Sequence, residues 1–276
     1  MNSIPTVTKN LLIINVLCFF GGVVAMKYGI DLNDLLGLHF FMASDFNPAQ
    51  LITYMFMHAG VLHLLFNMLW LYWFGQLFLS FFSAKHFRGV YILGGFCGGL
   101  LYMLAYNVFP YFSDSLYYSY LLGASASVLA IVVATAVREP DYPVHFMFIG
   151  TVRLKYVALF MVVTDLLFMT SGNAGGHIAH LGGALFGWFF IVGVRRNRDF
   201  ASGIVNFFEG IGRLFQRKKK MRVRYKKHVS EMNDREYNAH KKNEQERINE
   251  ILDKISRSGY ESLTREEKAI LFKAKN

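Results

Sequence analysis

The run GGHIAHLGGALFG, residues 175–187, reads as a helix made to lie inside other helices. It is apolar enough for a bilayer, yet it carries two histidines, and small residues fall at Gly175, Ala179, Gly183 and Gly187. Repeating every fourth residue, these form a smooth stripe, and such stripes let helix backbones approach closely where lipid supplies no hydrophobic drive. The glycines alone imply packing. His177 and His180 imply more, because polar side chains in a membrane are costly and usually face a bundle interior or a cavity.

The whole chain agrees with a membrane setting. Of its 276 residues, 54% are hydrophobic, 16% aromatic and only 17% charged, and the mean hydropathy is +0.30. Soluble domains rarely combine so much aromatic content with so little charge. Six apolar runs are expected to cross the bilayer, at roughly 10–27, 51–80, 89–108, 122–137, 154–171 and 176–194, giving an all-α membrane bundle. A retained first span is expected rather than a cleaved leader. Cys18 and Cys97 both sit in apolar runs, so no disulfide framework is implied.

Charge divides the chain. Residues 1–194 hold 7 Lys/Arg and 7 Asp/Glu, whereas 195–276 hold 22 and 12, so the net +10 belongs to the tail. The expected division is a six-span domain over 1–195, a basic amphipathic segment and linker over 196–247, and a small helical hairpin over 248–276. FASGIVNFFEGIGRLFQRKKK, from residue 200, suits an anionic lipid surface rather than nucleic acid. Gly259 is expected to end one tail helix, and Thr264 with Glu267 to cap the next. Basic residues outside the spans fall almost wholly on one face, Lys27 excepted. The expected orientation therefore has both termini cytoplasmic, in a bacterial cell membrane.

Polar residues within the spans cluster. HAGVLHLLFNMLW gives His58, His63 and Asn67, with His63 and Asn67 one helical turn apart. GASASVLA places Ser125 beside Gly123, Ala124 and Ala126 at the head of the fourth run. With His177 and His180, every group lies toward the start of a span running from outside to inside. They can meet at one depth near the outer face. Such a set suits a serine nucleophile with a histidine base and fixed donors for the oxyanion. Singly, each has a plainer role: serine can bond its own helix backbone, and histidine or asparagine can join helices. His177 is read as a supporting or loop residue, and Asp165 as a structural hydrogen bond to backbone rather than a catalytic group. No H-E-x-x-H motif or intramembrane aspartate pair is present, and no carboxylate accompanies the histidines at metal-binding spacing in sequence. No metal or cofactor is expected.

These motifs, H-x4-H-x3-N, G-x-S and A-H-x2-G-x3-G over about residues 10–195, resemble the rhomboid family of intramembrane serine proteases. The resemblance implies Ser125 as nucleophile and His180 as base, a dyad with no acidic third member. It implies an oxyanion site from His63, Asn67 and the Ser125 amide, with His58 near the site and transmembrane proteins as substrates. Gly123, Ala126 and His177 are placed at the substrate or in support of the dyad. The sequence departs from the family pattern at Ala126, usually glycine, and at Leu129, often an aromatic packed on the histidine. The loop over roughly 28–50 lacks the usual Trp-Arg pair. The other readings are a rhomboid-like protein that binds transmembrane clients without cutting them, and a small-solute transporter. A transporter would show internal repeats and midplane sites.

Overall fold

Close backbone approach between small residues organises the bundle. The computed structural model describes residues 4–112, 116–147, 149–170, 172–215 and 233–274. In chain order, α1 (Thr6–Met26) leads through α2 (Leu32–Leu36) and β1 (Leu38–His39) to α3 (Gln50–Thr53). Then come α4 (Val61–Leu79), α5 (Ala84–Val108), β2 (Tyr120–Leu121) and α6 (Ser125–Arg138). A hairpin of β3 (Pro143–Phe146) and β4 (Gly150–Arg153) precedes α7 (Leu154–Leu167), α8 (Ala174–Arg195) and α9 (Phe200–Phe215). Residues 1–216 form one compact unit.

The centre is α6 against α5 and α8. A Cβ added at Gly183 would lie 2.1 Å from the Ala126 carbonyl oxygen, and one at Gly187 would lie 2.3 Å from that of Ala130. One at Gly98 would meet the Ala126 Cβ and the Ala179 carbonyl oxygen, each at 2.7 Å. The stripe on α8 therefore serves two neighbours: Gly183 and Gly187 face α6, while Gly175 and Ala179 face α5, Gly175 packing on Tyr102. Around this core, α1 packs on α4, α7 on α6 and α8, and α9 on α5. The protein is a helical multi-pass membrane bundle.

Helices α1, α4, α5 and α8 are long and apolar enough to cross a bilayer. Helices α6 and α7 have 14 residues each. At 1.5 Å per residue they reach about 21 Å, short of a hydrocarbon core of about 30 Å. For α6 the mismatch is met by protein rather than lipid, since Ala126 through Ala136 are all buried. The expected second span, 51–80, is split. Residues 57–60 are non-helical, with Gly60 extended, so the transmembrane helix starts at Val61 and His58 stands ahead of it. The expected fourth span starts three residues late, because Gly123 has φ +116°, outside helical space.

The segment after α1 is fastened without the Trp-Arg pair. Asp31 caps α2 by accepting from the Asn33 and Asp34 amides. Leu38 pairs with Leu121 and His39 with Tyr120, joining β1 to the strand before α6. Gln50, 2% exposed, donates to the Leu35 and Asp45 carbonyls and accepts from the His39 and Asn47 amides. One side chain thereby satisfies four backbone groups of an irregular segment, which a buried loop requires. At the opposite face, Arg195 donates to the Val137 carbonyl at 2.9 Å. Arg88 pairs with Glu209 at 2.9 Å, and Ala201 sits on Gly89, so the start of the amphipathic segment is docked on α5. The Lys218–Lys220 cluster lies outside the described residues.

The second unit, within residues 217–276, is described separately. Helix α10 (Asp234–Ser258) opens with a capping box between Asn233 and Glu236 and stops at Gly259, whose φ is +76°. Helix α11 (Arg265–Ala274) opens on the Thr264–Glu267 box, and Lys254 of α10 pairs with Glu267 at 2.8 Å. Ile251 and Leu263 are its buried apolar contacts.

Candidate active site

Helix α6 starts at Ser125, and the 118–122 segment leads into it. A cavity of about 710 Å³ opens there, lined by His63, Asn67, Trp70, Ser125, Met161 and His180 among others. Ser125 Oγ and His180 Nε2 are 2.6 Å apart, across two helices whose glycines permit that approach. Ser125 lies at an α-helix N-terminus, where the first amides lack intrahelical partners and the helix dipole favours negative charge.

His63 is oriented by its own turn. The Ala59 amide donates to His63 Nδ1 at 3.4 Å, which makes Nδ1 an acceptor and leaves the proton on Nε2. The ring edge reaches Gly123 so closely that a Cβ there would lie 2.8 Å from both Cε1 and Nε2. Two independent constraints thus demand glycine at 123: the positive φ and the imidazole. Asn67 Nδ2 donates to the His63 carbonyl at 2.9 Å, one turn back. Among the described residues its second N–H meets no acceptor, and Asn67 too lines the cavity.

Other expected residues stand elsewhere. His58 is buried behind His63, their rings edge to face with centroids 5.1 Å apart, and it does not line the cavity. Its Nδ1 donates to the Phe56 carbonyl. Ala126 is buried between Gly98 and Gly183, in the helix interface rather than at the cavity wall. Leu129 lines the cavity one turn below Ser125 and offers the His180 ring no polar contact.

The largest correction concerns Asp165. Expected to bond backbone, it instead places Oδ1 at 2.8 Å from the Nδ1 of both His177 and His180. The acid-free dyad implied by the family resemblance therefore has a carboxylate behind it. His177 and His180 are i, i+3 on α8 and converge on this one oxygen of α7. The three groups also place ligand atoms within 4.8 Å of one another, the spacing of a metal-ligand set that the sequence reading lacked a carboxylate for. Here both histidine Nδ1 atoms share the Asp165 oxygen, and the outer nitrogen of His180 faces Ser125. Asp165 was visible in the sequence as an acid inside an apolar run, but its partners lie 12 and 15 residues away.

Comparison with known proteins agrees with this framework. RHOMBOID-like protein 12, mitochondrial, of Arabidopsis thaliana is 27% identical over 157 residues, covering 54% of this chain and 47% of that protein. Presenilin-associated rhomboid-like protein A, mitochondrial, of Danio rerio is 27% identical over 154 residues, covering 52% and 39% respectively. The chain thus matches less than half the length of these curated relatives. Residues 233–273 match a family of unknown function, DUF6576, and residues 46–197 match the rhomboid domain. That second match covers more than half of the chain and frames the whole cavity floor, so this protein belongs to the rhomboid family.

Proposed function

We propose that this protein is an intramembrane serine peptidase, hydrolysing peptide bonds in or near transmembrane segments of other membrane proteins. The observation that carries the reading is the 2.6 Å contact of Ser125 Oγ with His180 Nε2 in the lining of the cavity. His180 takes the hydroxyl proton as Oγ attacks the scissile carbonyl carbon. The tetrahedral oxyanion is met by the His63 Nε2–H, the free Asn67 N–H and the Ser125 amide. Each such donor is worth about 2.7–4 kcal/mol of barrier.

As the carbon–nitrogen bond breaks, His180 gives its proton to the leaving amine, leaving an acyl ester on Ser125. Water then attacks that ester with His180 again as base, releasing the new carboxylate and restoring the serine. Because β2 spends one edge on β1 while residues 118–122 line the cavity, an unwound substrate segment can lie extended along them. The flanking helices are apolar, so water reaches the site through the cavity mouth.

For orientation, Lys85, Arg138, Arg153, Lys155 and Arg195 stand at the ends of helices opposite the cavity. The positive-inside rule then places both termini on the cytoplasmic side of a cell membrane and the cavity toward its outer face. The test uses purified protein reconstituted with a generic transmembrane substrate. Wild type cleaves it and Ser125→Ala does not. A wild type that binds the substrate and never cuts it replaces this reading with client binding.

A further inference from the structure

An acid inside a bundle of this kind needs a reason. Asp165 is 6% exposed, and an ionised carboxylate at such a place is costly unless paired and hydrogen bonded. Two histidines meet that need at equal distances. One would have been enough to tie α7 to α8; the second histidine is the one whose other nitrogen touches Ser125.

We infer that Asp165 is the positioning residue of the proposed peptidase, holding His180 through Nδ1 with His177 as a brace on the same carboxylate oxygen. The inference rests on the peptidase reading of the site. A carboxylate only accepts, so His180 must carry its proton on Nδ1 to satisfy the 2.8 Å contact. Nε2 is then a lone pair facing the Ser125 hydroxyl at 2.6 Å, able to accept its proton. The opposite tautomer would put an N–H toward the serine and leave Asp165 facing a lone pair. His177, donating to the same oxygen, keeps the carboxylate from turning away. Leu129 lines the cavity and offers the ring no hydrogen bond, so the ring's rotation is set from behind, by Asp165.

The test measures steady-state cleavage by the full-length reconstituted protein, with Tm recorded for each variant. Asp165→Asn keeps the volume and can still bridge α7 to α8, but its amide can donate to Nδ1 and stabilise the wrong tautomer. Expected is a loss of about 10²- to 10⁴-fold in kcat with KM and Tm little changed, as for the aspartate of serine-protease triads. His177→Gln, which leaves the carboxylate on His180, loses less than about tenfold.

Should Asp165→Asn fail to fold, histidine nitrogen NMR of the wild type decides, with His180→Gln used for assignment. A protonated Nδ1 and bare Nε2 on His180 at neutral pH support the inference. A protonated Nε2, or Asp165→Asn with wild-type kcat, overturns it. If wild type cleaves nothing and takes no serine-directed probe, the peptidase reading fails instead, whatever the tautomer.

Discussion

Gly183→Ala adds one methyl group at the glycine where, among those described, a Cβ would come nearest to its neighbour. That Cβ would lie 2.1 Å from the Ala126 carbonyl oxygen, 2.8 Å from its carbonyl carbon and 3.1 Å from its Cα. The obstacle is backbone, so no rotamer change relieves it, and α8 must move from α6. Reaching even 3.0 Å requires a displacement of about 0.9 Å from the present 2.1 Å. Ala126 adjoins Ser125, and Gly183 sits three residues from His180. If the displacement falls along the 2.6 Å contact, that contact stretches to about 3.5 Å, where a hydrogen bond is nearly lost. Overpacking of this kind costs about 1–3 kcal/mol of stability, whereas a misplacement of about 1 Å costs about 10²-fold in rate. The expected result is a folded protein that reacts with a fluorophosphonate at least about 10²-fold more slowly than wild type. Gly203→Ala, where a Cβ meets nothing within 4 Å, is the control and should match wild type. Wild-type reactivity in Gly183→Ala would refute the claim that this glycine sets the distance between Ser125 and His180.

Two further outcomes follow from the geometry. His63→Ala removes the Nε2–H donor while leaving Ser125 and His180 in contact, so kcat should fall by about 10²- to 10³-fold with little change in KM; cleavage kinetics in proteoliposomes check this. In the tail, donation from the Lys254 ammonium, then from the Thr264 amide, holds the Glu267 carboxyl at about 2, below the ordinary value of about 4.3. Because the folded value is depressed, this contribution is complete above about pH 4.3 and is lost as pH falls toward 2. Hydrogen exchange across residues 254–268 of the full chain should show protection falling in that window, and Lys254→Met should weaken the pH dependence without abolishing it, because the Thr264 amide still donates to Glu267.

Much of the site was legible because a bilayer makes polar residues conspicuous. Ser125, His63, Asn67 and His180 stood out against apolar neighbours, and their place near helix starts was enough to bring them to one depth. The role of Asp165 was not legible, since the sequence displays an acid in an apolar run without saying which helix it faces. Helix ends depended on details that hydropathy does not register: the extended Gly60 detached His58 from α4, and the positive φ of Gly123 delayed α6. The anchoring of residues 28–50 was hidden for a related reason. A loop glutamine and two paired residues on β1 and β2 look unremarkable until Leu38 meets Leu121. Ala126 was visible as a small residue, but only the approach of Gly98 and Gly183 assigns it to packing.

The central claim is that the Ser125 hydroxyl, activated by His180, forms the covalent acyl intermediate. Its most direct test is mass-spectrometric mapping of a fluorophosphonate adduct on the reconstituted full chain. A single adduct on Ser125 is expected, absent from His180→Ala even though that variant keeps the serine. No adduct on an actively cleaving wild type, or an adduct on another residue with cleavage surviving in Ser125→Ala, would contradict it.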